Sequence, residues 1–315
     1  MSAPASAPIG REDARLLRLA THASVAVAAT LIVLKFGAWV LTDSVAILSS
    51  LVDSVLDSFA SLVNLFAVRQ ALTPADPEHR FGHGKAESIA GLGQAAFIAG
   101  SALFVLVEAV ARLVTPHPLG YGPVGLAVMV ISIVLTFALV RFQMHVVRRT
   151  GSTAISADSL HYRSDLLVNG GIIASLGVSV YVGVPWVDPL VAIAIAGYIV
   201  YSAWAIARGA LDALMDREFP DHDRQRILDI VAAHVQVKGI HDLRTRRSGL
   251  QPFVQLHLEL DGSITLNDAH IISDQVEAEI MAAFPGAEVI IHQDPHGIPE
   301  TMPAYAREDA PSGPS

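Results

Sequence analysis

The chain has 315 residues, of which 52% are hydrophobic and only 16% charged, and it contains no cysteine. That composition is too apolar for an ordinary soluble domain and points to a membrane protein. Without cysteine, disulfides and thiolate metal sites are excluded, so any bound metal must be held by carboxylate oxygen or imidazole nitrogen.

Charge is unevenly spread. Residues 1–208 carry 13 Lys and Arg against 12 Asp and Glu, a net +1, whereas residues 209–315 carry 8 against 18, a net −10, giving −9 for the chain. An acidic C-terminal part favours cations or simple solubility and gives no support for nucleic-acid binding.

Residues 1–15 are rich in Ala, Pro and Ser and are predicted to be disordered. Arg11, Arg15 and Arg18 then precede an apolar run from Ala20 to Leu41. The run can cross about 30 Å of hydrocarbon and further apolar segments follow, so it reads as a first transmembrane helix and not as a signal peptide. Five more spans follow near 44–68, 87–113, 122–146, 154–182 and 187–207, making a transmembrane domain over residues 16–208. Arg69, Arg80 and Lys85 lie between spans two and three, Arg141, Arg148 and Arg149 end span four, and Arg208 follows span six. The opposite loops hold only Arg112, so the positive-inside rule puts both termini in the cytoplasm. Small residues at Gly91, Gly93, Gly100 and Gly197 read as helix-packing features. Lys35, in span one, reads as a snorkelling or packing residue in preference to a carboxylate partner.

After Met215 the pattern changes. Pro220–Asp223 resembles a helix start, and Ile227, Ile230 and Val231 make a short helical stripe. Strands are expected at Ile240–Arg246, along the alternation Val254, Leu256, Leu258, Leu260, and at Glu288–His292. Leu266, Ala269, Ile272, Val276, Ile280 and Phe284 keep helical spacing. The order α-β-β-α-β describes a small α+β domain over residues 209–296, and the Pro-rich residues 297–315 read as a disordered tail.

Two pairs carry the chemistry: Asp53 with Asp57, and His161 with Asp165. Each pair is four residues apart, which on a helix puts both side chains on one face one turn apart. Two such helices face to face offer three carboxylates and one imidazole, enough for a tetrahedral divalent-metal site. A lone acid in a span can cap a helix or pair with Lys35. Carboxylates at membrane depth are costly unless they pair or bind a cation, so two such pairs in separate spans point to an ion path. His161 lacks the following Glu and second His of a zinc-protease motif.

A second group, Asp76, His79 and His83, lies in the loop between spans two and three, where spacing leaves open a metal site or a chance gathering of polar residues. A third is dispersed over the C-terminal domain: His241, His257, His270, His292 and Asp294. Singly each reads as a surface residue; together they favour a metal site. His22, His117, His145, His222, His234 and His296 have no identifiable partner and are given no role.

Together with Asp53-x-x-x-Asp57, the stretches Phe81–Glu87, His161–Asp165, His241–Arg246 and Ile291–Asp294 resemble the cation diffusion facilitator family, in its bacterial zinc and ferrous-iron efflux branch. The likeness spans residues 15–296. It implies a homodimer of six-span subunits in the inner membrane, in contact with lipid, each with a cytoplasmic metallochaperone-like domain. It also implies export of a divalent cation (Zn²⁺, Fe²⁺, Cd²⁺ or Mn²⁺) in exchange for protons, with no prosthetic group and no enzymatic activity. Carried over, Asp53, Asp57, His161 and Asp165 form the transport site; Asp76, His79 and His83 match the loop site, with Pro77 and Glu78 altering its local chemistry. His241, His257, His292 and Asp294 match the cytoplasmic site with His270 and Gln293 at its edge, and Lys85 and Asp216 match a charge interlock at the dimer contact. Metal binding needs neutral imidazole and ionised carboxylate, so it releases protons; an imidazole, with an ordinary pKa of about 6.5, suits that exchange. The rival readings are a membrane metal sensor, whose spans only anchor it, and a membrane metalloenzyme, for which no nucleophile or general base stands beside the quartet.

Overall fold

The computed structural model describes residues 11–43, 45–114, 123–182 and 187–298. Residues 1–10 and 299–315, within the segments expected to be disordered, lie outside the described residues. The chain divides into two compact units, one over residues 11–212 and one from Ala213 onward.

The first unit contains α1 (Arg11–Thr42), α2 (Val45–Ala71), α3 (Ala86–Val114), α4 (Pro123–Thr150), α5 (Thr153–Val182) and nearly all of α6 (Val187–Leu214). At 1.5 Å per residue, the 32 residues of α1 make a rod about 48 Å long, more than a bilayer's hydrocarbon requires. Among the described residues, five helices are long and apolar enough to cross a membrane: α1, α2, α3, α4 and α6. The remaining one, α5, carries Asp158, Arg163 and Asp165 in its first half.

Residues 11–15, expected to be disordered, are helical. Glu12 and Asp13 sit in the first turn of α1, where acids suit the positive end of the helix dipole, and both meet Arg149 at the end of α4, at 2.6 and 3.1 Å. Within the unit, α1 packs on α2 and α4, α2 on α3, and α5 touches each of α1 to α4. Ile98, Ala102, Leu160, Ile199 and Ala203 form one apolar cluster joining α3, α5 and α6. Of the small residues read as packing features, Gly91 alone makes a close crossing among the described residues: a Cβ there would meet Thr153 Cγ2 at 3.0 Å, whereas nothing lies within 4 Å at Gly93, Gly100 or Gly197.

The second unit adds α7 (Asp221–Ala232), β1 (Val237–Ser248), β2 (Gln251–Leu260), α8 (Leu266–Ala283) and β3 (Glu288–Pro295), in the expected order α-β-β-α-β. The sheet runs β1-β2-β3, with β1 antiparallel and β3 parallel to β2. The alternation along β2 buries Val254, Leu256, Leu258 and Leu260 against Ile272, Val276 and Ile280 of α8 and Ile227 and Val231 of α7. Thr265 caps α8: its side chain accepts the Asp268 amide at 3.2 Å and its hydroxyl donates to the Asp268 carboxylate at 2.6 Å. β1 breaks register between His241 and Arg244, where Asp242 takes a φ of 49°, and this bulge keeps His241 opposite His257.

Candidate metal centres

His161 and Asp165 stand one turn apart on α5, and Asp57 faces them from α2. His161 Nε2 lies 2.9 Å from Asp57 Oδ1 and 3.9 Å from Asp165 Oδ2. The three offer ligand atoms within 4.8 Å of one another. His161 is only 3% exposed. Its ring is walled by Tyr162 and Phe97, at centroid distances of 5.4 and 5.8 Å. Asp53, one turn before Asp57, is exposed and stands outside this three-donor group. Lys35, read as a snorkelling or packing residue, is held against the neighbouring helix: its ammonium donates to Ser54 Oγ at 2.7 Å and to the Ser50 carbonyl at 3.0 Å, both on α2.

The first turn of α5 is fixed from α3. Ser152 Oγ accepts the Ile155 amide at 3.3 Å, and its hydroxyl donates to Glu87 Oε1 at 3.1 Å. The Glu87 carboxylate also accepts the Thr153 amide, so one buried acid closes two groups at a helix start. Deeper in the bundle, Asp158 is fully buried and accepts bonds from Ser24 Oγ and Gln143 Nε2, each at 2.6 Å. Tyr162 bonds Ser61 at 2.8 Å and the Ser24 carbonyl at 3.4 Å, so α1, α2, α4 and α5 meet in one polar knot. Asp158 escaped the sequence reading, although positions 158, 161 and 165 share one helical face.

The loop group is also gathered. Asp76 Oδ1 accepts the amides of His79 and Glu78 at 2.6 and 3.0 Å, and Oδ2 lies 3.4 Å from His83 Nε2. The two imidazole rings are 4.5 Å apart. The His79 amide, followed by the Glu78 amide, holds the Asp76 carboxyl below the ordinary carboxylate range and so keeps it ionised. Gly82, at φ 74°, lets the chain reverse between the two histidines.

In the second unit, strand register does the gathering. His241 pairs with His257 across β1 and β2, and His257 pairs with His292 across β2 and β3, putting three imidazoles on one rung. Asp294 approaches all of them: Oδ2 lies 2.7 Å from His257 Nδ1 and 3.6 Å from His241 Nε2, and Oδ1 lies 3.1 Å from His292 Nε2. His241, His257 and Asp294 offer ligand atoms within 4.8 Å of one another. His270 is 66% exposed on α8, 3.4 Å from Asp274, and is not in that group. Gln293 turns to Ser273 on α8, at 2.9 Å. Asp216 pairs with Arg246 at 3.4 Å within this unit, while Lys85 belongs to the other.

Two residues in this unit were missed. Glu259 accepts from His241 Nδ1 at 3.1 Å and from His296 Nδ1 at 2.6 Å. Such a carboxylate fixes the tautomer of a ligand histidine and directs its other nitrogen to the metal. Gly239 clears its place, since a Cβ there would stand 3.0 Å from the carboxylate.

A model described as the cation efflux transmembrane domain matches residues 21–215, well over half of the chain. The chain belongs to the cation efflux family. The family's cytoplasmic domain matches residues 219–296. The cation-efflux pump FieF of Klebsiella pneumoniae is 50% identical over 284 residues, covering 90% of this chain and 94% of that protein. The FieF pumps of Cronobacter sakazakii and Escherichia coli agree to the same extent. A solved structure of the metal-bound C-terminal domain of the CzcD transporter from Thermotoga maritima is 28% identical over 25% of this chain and 93% of its own, with a TM-score of 0.24. Family membership makes the chain a multi-pass membrane transporter of cations and not an enzyme.

Proposed function

We propose that the chain is a proton-coupled antiporter that exports divalent metal from the cytoplasm, with Asp53, Asp57, His161 and Asp165 as its transport site. The observation that carries this is the grouping of Asp57, His161 and Asp165 within 4.8 Å across two helices of the membrane unit. Oxygen and imidazole donors without thiolate suit Zn²⁺ and Fe²⁺, and admit Cd²⁺ and Mn²⁺. The similarity to pumps named for cation efflux supports the outward direction.

Coupling follows from the ligand set. The metal requires a neutral imidazole and ionised carboxylates, so protons and metal exclude one another at the same atoms. Proton entry from outside then drives release, and deprotonation on the cytoplasmic side restores the site. Both termini face the cytoplasm, in keeping with the placement of Arg and Lys, and the membrane is the inner one. Residues 16–208 form the transport domain and 209–296 a cytoplasmic domain that pairs two subunits, with Lys85 and Asp216 in a charge interlock at the contact. The loop donors Asp76, His79 and His83 and the rung of His241, His257 and His292 with Asp294, and with His270 at its edge, bind metal for regulation and pairing, outside the ion path.

The test is a metal panel in proteoliposomes with an imposed pH gradient and a pH-sensitive dye inside. Divalent metal flux accompanied by opposite proton flux is expected. Metal transport with no pH change rules out antiport, and no ion movement with any metal favours a membrane metal sensor.

A further inference from the structure

Lys35 is a charge at membrane depth that the proposed transport cycle leaves unused. Charged groups in such segments are costly and face partners or water-filled space. Its ammonium is anchored to Ser54 and the Ser50 carbonyl. Ser54 stands between Asp53 and Asp57, so the charge is pinned to the turn of α2 that carries both carboxylates. Its field acts on Asp57, Asp165 and Asp53.

Beside it lies a cavity of about 40 Å³ bounded by α1, α2, α4 and α5, with Lys35, Ser50, Ser132 and Asn169 among its walls. A water needs roughly 10–15 Å³ and two to four polar partners, so the space has room for a few waters beside the ammonium. Asn169 is one turn beyond Asp165 on α5, which brings this pocket alongside the proposed metal ligands.

We propose that Lys35 is an affinity-setting residue of the transport site: a tethered cation that loosens the hold of the carboxylates on the metal and hastens its release. This rests on the transport-site reading above. Asp53, Asp57 and Asp165 supply three negative charges and Lys35 one positive. A divalent ion therefore brings the occupied site to neutrality, which is the least costly state in a low-dielectric bundle. Removing the lysine charge leaves an excess negative charge, holds the metal longer and slows each cycle.

The experiment uses the full-length protein in proteoliposomes, with initial rates against Zn²⁺ and Cd²⁺ concentration. Lys35→Gln keeps a donor for Ser54 and removes the charge; Lys35→Arg keeps the charge. The Gln variant is expected to lower KM about tenfold and to lower the maximal rate, while the Arg variant stays within about twofold of wild type in both. Ser54→Ala removes one of the two tethers of the ammonium to α2, leaving the Ser50 carbonyl, and shifts KM about threefold in the same direction, which keeps the idea testable if Lys35→Gln does not fold. A wild-type KM in both Lys35→Gln and Ser54→Ala overturns the proposal, as does equal failure of the Gln and Arg variants, which marks a packing role. Asp57→Ala runs alongside. If it transports like wild type, the transport-site reading has failed; if it is inactive while Lys35→Gln matches wild type, only the role of Lys35 has failed.

Discussion

His161 Nε2 lies 2.9 Å from Asp57 Oδ1, joining α5 to α2 across the membrane unit. The two residues are far apart in sequence, and neither helix can offer a three-donor site alone. A metal held by these donors would therefore be tied to the spacing of two helices, and could favour one arrangement of the bundle over another.

Asp57→Ala removes the carboxylate that reaches across. Transport should fall by more than about 100-fold, since even outer-shell partners of a metal are worth roughly 10- to 100-fold. The apolar packing around α2 is untouched, so the protein should elute from a sizing column as the wild type does. Wild-type transport rates in that folded variant would sink the assignment of Asp57.

Asp53→His changes the donor and leaves its place on the helix. Imidazole suits Zn²⁺, so the ratio of Zn²⁺ to Cd²⁺ transport should rise. An unchanged ratio would mean that Asp53, which is exposed and outside the close donor group, is not a ligand.

His257→Ala combined with Asp294→Ala removes the centre of the rung in the second unit. Residues 209–315 carry a net −10, so two paired domains repel, and bound cations offset that repulsion. The double variant should lose metal from the domain, loosen the pair and lower transport without abolishing it. Complete loss of transport in a folded double variant would place this cluster in the ion path.

Glu259→Ala strips the support behind His241. Metal affinity of the sites lost in the His257 and Asp294 double variant should weaken about tenfold, as is usual for a carboxylate that orients a ligand histidine. A Zn²⁺ titration of the full-length protein reads this directly. Unaltered affinity would reduce Glu259 to a surface partner of His296.

Asp76 gives a pH prediction. Its carboxyl is held below the ordinary range by the His79 and Glu78 amides, so the turn it organises is complete above the ordinary value and is lost as pH falls through the lowered one. Protection of the His79 amide from hydrogen exchange should persist on acidification to pH ~5, and the carboxyl should titrate below about 3.9 by NMR. Titration at or above that value would remove the two amide bonds from the account.

The pattern of one-turn pairs made Asp57, His161 and Asp165 legible because helical spacing is a local property. The same holds for the order α-β-β-α-β, which alternation and helical stripes announce. Asp158 was overlooked because its meaning lies in Ser24 and Gln143 on other helices, and no local pattern names such partners. Glu259 and His296 were missed for a related reason: their meeting depends on the parallel register of β2 and β3, which sets Glu259 opposite Asp294, two residues before His296. Residues 11–15 looked disordered by composition, yet Arg149, far along the chain, holds Glu12 and Asp13.

The grip of Glu87 on Ser152 and Thr153 pins the start of α5, so a tilt of the helix about that point would act as a lever. His161 stands about 12 Å from that point along the helix, and Val182 about 44 Å, at 1.5 Å per residue. A swing of the whole rod therefore moves its far end nearly four times as far as the metal donors. A sub-ångström adjustment at these donors would then become a gap of a few ångströms at the other end, with no need for the helix to slide. Cutting the grip with Glu87→Ala would remove that pin without touching Asp57, His161 or Asp165.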